Sequence, residues 1–257
     1  MVGTGTVFES NFRCAVGAAD QRDLLQHRRR YGARRIASVL QDEGLVISPK
    51  RVAKLMKKRG LHALQPKSFQ PKTTDSRHKL GYSPNLLLEL TPLTKLNQLW
   101  VGDITYIPLR DGRFCYLAML MDRWSRAIVG WSLGENMQEA LVTQALQQAI
   151  RKRQPDSGLI HHTDRGGQYA GHAYRGIIRR AQMQQSMSRA DNCYDNAFME
   201  SCFGTFKNEL QMTDYEQQGE ADRVFAEYIG YYNQERKHSA LEYLSPAQFE
   251  RQAKPQK

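Results

Sequence analysis

The stretch that most constrains this chain is Phe114 to Met121, eight consecutive apolar residues closed by Arg113 before and Asp122 after. A bilayer span needs roughly 20 apolar residues, so the run is too short to cross a membrane. It has the length of one fully apolar strand. Just ahead of it, Arg110-Asp111-Gly112-Arg113 carries Asp-Gly at its centre, the signature of a tight hairpin turn. Trp100 to Leu109, before that turn, is rich in β-branched and aromatic side chains. Ala127 to Leu133 reads as a third strand, with Asp122 to Arg126 turning into it. Helical spacing follows over Glu135 to Arg153, carried by Ala140, Leu141, Ala145, Leu146, Ala149 and Ile150. Pro155 and Gly158 break it, and Leu159-Ile160-His161-His162 makes a short strand. An antiparallel meander, then a helix, then a parallel strand predict an α/β domain, a mixed sheet flanked by helices.

Composition excludes several other classes. Hydrophobic residues at 40% and charged residues at 25% are globular values, against wholesale disorder. Met1 to Ser10 holds no basic stretch followed by an apolar block, so no secretory signal is expected. Cys14, Cys115, Cys193 and Cys202 form no C-x-x-C pair and read as small buried hydrophobes, reduced thiols of a cytosolic protein.

The net charge is +11, and its location matters more than its size. Residues 22–60 hold twelve basic side chains against three acidic, while residues 81–257 balance at twenty each. Charge this one-sided points to a polyanion partner, with nucleic acid first. The basic stretch also has a form. Ile36, Val39 and Leu40 make the apolar stripe of one short helix, and Gly44 stops it. Ser48 and Pro49 supply an N-cap and first-turn proline for a second helix to Arg59, with Val52, Leu55 and Met56 as its stripe. Lys50, Arg51, Lys54, Lys57 and Lys58 occupy its other faces. Together with Arg34 and Arg35 on the first helix, they predict the DNA contacts of a small all-α helix-turn-helix. A solvated helical hairpin without function is the competing reading. The expected organisation is an unassigned segment 1–26, the helix-turn-helix unit 27–63, a proline-punctuated linker 64–95, and a catalytic core with a C-terminal helical extension over 96–257.

Three separated carboxylates fall at informative places in that core. Asp103 interrupts the first strand, where a charge costs free energy unless paired or metal-bound. Asp164 follows the short strand directly, ahead of Gly166-Gly167, the position at which open α/β sheets place their sites. Glu200 lies in a helical segment running to Leu210, with 35 residues between it and Asp164.

Trp100-x-x-Asp103-Ile104-Thr105-Tyr106, Asp122-Arg123-Trp124-Ser125-Arg126 with Ile128-Val129-Gly130-Trp131, and His162-Thr163-Asp164-Arg165-Gly166 stand in order. Ser186-Met187-Ser188, Asp195-Asn196-Ala197-x-x-Glu200-Ser201 and Phe206-Lys207-x-Glu209-Leu210 follow. The tail holds Tyr231-Tyr232-Asn233-x-x-Arg236-x-His238-Ser239-x-Leu241 and Ser245-Pro246, and the basic unit opens on Tyr31-Gly32-x-Arg34-Arg35-Ile36. Across roughly residues 27–250 the chain resembles the retroviral-integrase-like DDE transposases of bacterial insertion sequences. It is most similar to the OrfB proteins of the insertion-sequence-three family. Gly167 stands where that family usually has Ser, Asp191 where it usually has Gly, and residues 1–21 match nothing expected there.

The resemblance implies a ribonuclease-H-like fold in which Asp103, Asp164 and Glu200 hold two Mg²⁺ (or Mn²⁺) ions. It implies cleavage at transposon ends and joining of 3′-OH ends to target DNA. It further implies double-stranded DNA as partner, a homo-oligomer on DNA, and an upstream OrfA-type DNA-binding partner joined by frameshift fusion. The place of action would be the bacterial cytoplasm, at the nucleoid. Two other readings stand beside it: a hydrolytic metal nuclease of the same fold, and a regulatory fragment that occupies element ends without catalysis. The carboxylate trio favours an enzyme, since DNA binding alone has no need of it.

Neighbouring residues carry narrower expectations. Lys207, two helical turns from Glu200, shares its face and reads as a DNA contact or a solvated lysine. Glu209, half a turn away, should face elsewhere. Asp122 reads as a turn or ion-pair residue beside Arg123 and Arg126, and Asp191 and Asp195 as helix-capping residues. His161 and His162 read as packed, and Tyr228, Tyr231 and Tyr232 as a packed aromatic stripe with DNA stacking as the alternative.

Overall fold

In the computed structural model, which describes residues 27–64, 80–189, 197–210 and 215–253, Ser48 does what its position predicts. Its Oγ accepts a hydrogen bond from the backbone N–H of Arg51 at 3.3 Å, capping a helix that starts on Pro49. The chain divides into two compact units, Met1–Lys67 and Ser68–Lys257. In the first, α1 (Ala33–Asp42) and α2 (Pro49–Lys58) pack together through Ile36, Ala37 and Leu40 against Val52 and Met56. Tyr31 is fully buried beside α1, its ring stacked on His27 at 4.0 Å. The residues beyond α2 return to the start of the unit, where the Leu64 N–H donates to the Arg29 carbonyl. Cys14, Cys193, Asp191 and Asp195 lie outside the described residues.

The second unit is built on a five-stranded sheet in the order β3-β2-β1-β4-β5. Its strands are β1 (Leu99–Pro108), β2 (Phe114–Asp122), β3 (Ile128–Gly134), β4 (Ile160–Thr163) and β5 (Gln184–Met187). β1 and β2 form the expected antiparallel hairpin, with Asp103 opposite Met119, and Gly112 takes the left-handed conformation at its turn. β4 runs parallel to β1, so the apolar strand β2 lies inside the sheet. β5 was not foreseen. Its sequence Gln-Gln-Ser-Met shows no apolar alternation, and it forms as an edge strand parallel to β4.

Each face of the sheet carries its own core. Leu99, Val101 and Ile107, at odd positions of β1, pack with α6 (Ala197–Glu209) and α7 (Gln218–Gln234). Trp100 and Ile104, at even positions, pack with α3 (Glu139–Arg153) and α5 (His172–Arg180), which follows the single turn α4 (Gly167–Ala170). α3 begins at Glu139 rather than Glu135, because β3 runs on through Gly134 and the chain needs the next four residues to reverse. Gly130 is obligatory for this packing. A Cβ there would lie 2.3 Å from the Ala145 carbonyl oxygen of α3.

Residues 80–95 differ from a free linker. Leu87, Leu90 and Leu93 pack into the core on the α6 side, and the Leu86 N–H donates to Ser186 Oγ of β5 at 2.9 Å. Five leucines between Asn85 and Leu93 are the signal that the prolines obscured. Residues 65–79 lie outside the described residues.

The tail motif is structural. The Asn233 side chain bonds both backbone groups of Ile128 at the sheet edge, at 2.8 and 2.9 Å. Arg236 forks onto Glu209 of α6, and Arg153 of α3 onto Glu250 of α8 (Pro246–Ala253). Tyr228 and Tyr232 are buried in this tail, and the Tyr228 hydroxyl donates to Glu209 at 2.8 Å. Asp122 is the turn residue its position suggests, and it does not pair with Arg123 or Arg126. It accepts from the backbone N–H groups of Asn97, Trp124 and Ser125, and its nearest cation is Arg153 at 3.9 Å, not Arg123 or Arg126. No helix among the described residues is long and apolar enough to cross a membrane.

Candidate active site

Strand geometry decides where Asp103 points. It shares the odd face of β1 with Val101, toward α6, and its Oδ1 accepts the Ile104 N–H at 2.8 Å. β4 lies beside β1 and ends at Thr163, so Asp164 emerges next to the middle of β1. Its Oδ1 accepts the Gly166 N–H at 2.9 Å, a local turn that holds the carboxylate in place. Glu200 is exposed on the first turn of α6. Asp164 and Glu200 both act on Asp103, whose pKa lies well above the ordinary carboxylate value. Burial is the main cause, then the Asp164 charge, with Glu200 adding a smaller push and Lys207 opposing it. Lys207, half-buried on α6, sets its Nζ 4.2 Å from the Tyr106 ring centroid.

Buried hydrogen-bonded groups flank β1 on both faces of the sheet. His161 and His162 are both fully buried, as packed histidines. His161 pairs with the Tyr174 hydroxyl and lies under Gly102, where a Cβ would come within 2.9 Å of its ring. Burial pushes its pKa down to about 4, so the ring is neutral at physiological pH. His162 is held between Ser186 Oγ at 2.8 Å and Ser188 Oγ at 3.2 Å. Tyr169, buried nearby, has its phenol pKa raised well above normal by burial and by the charges of Asp103 and Asp164. Arg165 donates to the Ser188 carbonyl at 2.7 Å and lies 4.7 Å from the Tyr82 ring. The sequence offered no signal for these partners, which come from segments up to about 80 residues apart.

The basic side chains sort by unit. Arg34, Lys50, Arg51, Lys54, Lys57 and Lys58 are exposed, and Arg35 is half-buried with its guanidinium 5.6 Å from the Tyr31 ring. They belong to the first unit and Lys207 to the second.

A raised acid predicts a measurable stability effect. A carboxylate whose native pKa exceeds its unfolded value of about 3.9 stabilises the fold below that value. The contribution is lost as pH rises through the native pKa, and at neutral pH the ionised Asp103 opposes folding. Asp103→Asn should therefore raise the melting temperature in chelator-treated buffer at pH 7, by about 2–4 °C for each kcal/mol relieved. The gain should shrink on acidification and vanish below about pH 4. A lower melting temperature at pH 7 would contradict this electrostatic picture.

The sheet order and the flanking helices define a ribonuclease-H-like core of the kind used by polynucleotidyl transferases. Residues 94–193 and 181–246 each match a family described as Integrase core domain, and residues 23–69 match one described as HTH-like domain. The transposase for insertion sequence element IS904 of Lactococcus lactis is 42% identical over 88% of this chain and 89% of its own length. Transposase InsF for insertion sequence IS3A of Escherichia coli is 39% identical over 87% of this chain and 77% of its own. The chain belongs to the insertion-sequence-three family of transposases. In fold alone it also resembles a chain of the simian T-cell lymphotropic virus intasome in complex with PP2A regulatory subunit B56 gamma. That match has a TM-score of 0.53 at 13% identity, covering 93% of this chain and 75% of the other.

Proposed function

We propose that this transposase cleaves phosphodiester bonds at the ends of its element and joins the freed 3′-OH ends to target DNA, using Asp103, Asp164 and Glu200. The observation that carries the reading is the half-buried Asp103 inside β1, whose pKa the charges of Asp164 and Glu200 both raise. A binding protein gains nothing from such a cluster, whereas a cation site requires one.

The donor set fits hard divalent cations. All three ligands are carboxylate oxygens, the chemistry that suits Mg²⁺ or Mn²⁺. Among the described residues no three acidic, histidine or cysteine side chains close into a finished metal cluster. Mg²⁺ keeps waters and binds through a few carboxylates plus substrate phosphate. Asp103, Asp164 and Glu200 would hold two such ions. When bound, the pair lowers the pKa of an attacking water or 3′-hydroxyl and neutralises the leaving oxygen.

The remaining groups position and protect. The Gly166 N–H fixes one oxygen of Asp164, and the Ile104 N–H one oxygen of Asp103. Lys207, beside Asp103, would take a DNA phosphate next to the scissile bond. The neutral His161 and the buried Tyr169 put no charge beneath β1, so charges above it act in a low dielectric. In the first unit, α2 with Lys50, Arg51, Lys54, Lys57 and Lys58 would lie in the major groove of the element end, with Arg34 and Arg35 on the backbone. Action as a homo-oligomer on DNA, with an upstream OrfA-type partner or fusion, at the nucleoid in the cytoplasm, completes the proposal.

The test is an assay on labelled element-end duplex. Nicking and strand joining should require Mg²⁺ or Mn²⁺ and stop in excess chelator, while Ca²⁺ supports binding without turnover. Full cleavage in excess chelator would sink the carboxylate–metal assignment.

A further inference from the structure

Among the described residues, two cations of the catalytic unit have no counter-charge. Arg123 and Arg126 lie half-buried in the turn between β2 and β3, their guanidinium carbons 3.2 and 4.6 Å from the Phe198 ring centroid. Among the described residues neither makes an ion pair or hydrogen bond with a carboxylate, since Asp122 is taken by backbone N–H groups and Arg153. Burial and the adjacent Arg126 push the Arg123 pKa down to about 10, and burial lowers that of Arg126. Half-buried charge without a partner costs free energy that an arriving anion would recover.

Beside the arginines lies a cavity of about 470 Å³, within the size range of ligand sites. Leu99 and Val101 of β1 line it, with Leu90, Leu93 and Phe198 around them. Val101 precedes Asp103 by two residues on the same strand face, and Phe198 precedes Glu200 by two on the same helix. The cavity therefore lies along the strand and the helix that carry Asp103 and Glu200.

We propose that Arg123, Arg126 and this cavity form a pocket for single-stranded DNA, in which the guanidiniums bind backbone phosphates and the apolar cavity takes an unstacked base. The inference rests on the reading of Asp103, Asp164 and Glu200 as the reacting centre. A DNA strand is the occupant because it joins the two properties the pocket asks for, phosphate anions that match the guanidinium fork and a flat base to bury.

The experiment uses the full chain and a thymidine-rich single-stranded oligonucleotide carrying 5-iodouracil. Excess unlabelled duplex occupies the amino-terminal unit. Photocrosslinks should map to the peptides containing Phe198 or Leu87–Leu93. Arg123→Gln with Arg126→Gln should weaken single-strand binding about tenfold or more, the loss of two charge-assisted contacts. The slope of log K against log salt should fall by about 1.4, two phosphates at roughly 0.7 each. Leu90→Trp, which fills the cavity and leaves both arginines, should lose the crosslinks while keeping most of the salt slope. Glu200→Gln should keep both affinity and crosslinks, so a failure of the reacting-centre reading shows in cleavage assays and leaves this binding result standing. Unchanged affinity and slope in the double variant, or crosslinks elsewhere, would overturn the proposal. So would a double variant that binds the strand normally but sediments as a smaller species, because the face would then join copies of this chain.

Discussion

Glu200→Gln should lose end cleavage and strand joining by at least about a thousandfold while binding element-end DNA almost as tightly as the parent chain. Glutamine keeps the volume and hydrogen-bonding reach of glutamate but removes one of three anionic ligands. The cation pair that this cluster is proposed to hold contributes several kcal/mol to the transition state, and about 4 kcal/mol is roughly a thousandfold in rate. Glu200 is exposed on the first turn of α6, so the exchange leaves the fold intact. Duplex affinity should persist because the exposed basic side chains of α2 lie in the other unit. Single-turnover cleavage and a parallel binding titration measure the two effects. Normal cleavage by this variant would end the assignment.

Glu209→Gln, nine residues along the same helix, should fail for a different reason. Helical geometry alone would make it an inert control, since its side chain points half a turn away from Glu200. That expectation needs correction. Glu209 is buried, accepts from the Tyr228 hydroxyl, and is forked by Arg236 with both side chains only 4% exposed. Burial opposes the Arg236 charge, and the Glu209 carboxylate outweighs it, raising the guanidinium pKa. Removing the carboxylate charge leaves a buried guanidinium uncompensated, at a cost of about 3–5 kcal/mol. The melting temperature should fall by roughly 6–20 °C at about 2–4 °C per kcal/mol. Activity per folded molecule should survive at low temperature. Replacing Glu209 and Arg236 together by methionine should recover most of the loss, because no stranded charge remains. If the single variant melts like the parent chain, the pair is not buried as described.

These two glutamates show where the sequence stops being informative. Both were visible as helical carboxylates, and their opposite directions on α6 followed from spacing. The fates of those directions did not. One depends on Asp103 nearly a hundred residues earlier, the other on Arg236, 27 residues later. The same holds for Asp122, whose turn role was legible locally but whose nearest cation, Arg153, lies 31 residues on. Leucines in 85–93 were hidden by the neighbouring prolines, because local composition cannot report a surface that another segment supplies.

What the sequence determined by itself were the properties written at short range. The Asp-Gly hairpin, the apolar β2, the Ser48-Pro49 helix start, the concentration of charge before residue 60 and the position of Asp164 at a strand end are all of that kind. Periodicity, capping and turn chemistry act over a few residues, so they can be read without the fold. The tertiary structure decided which separated groups meet. It made an edge strand of the polar Gln184–Met187, buried His162 between two serines, set Arg123 and Arg126 against the Phe198 ring, and brought Glu200 within electrostatic reach of Asp103. Those outcomes depend on burial and on charges from distant segments, which are properties of the packed molecule and not of any one stretch of chain.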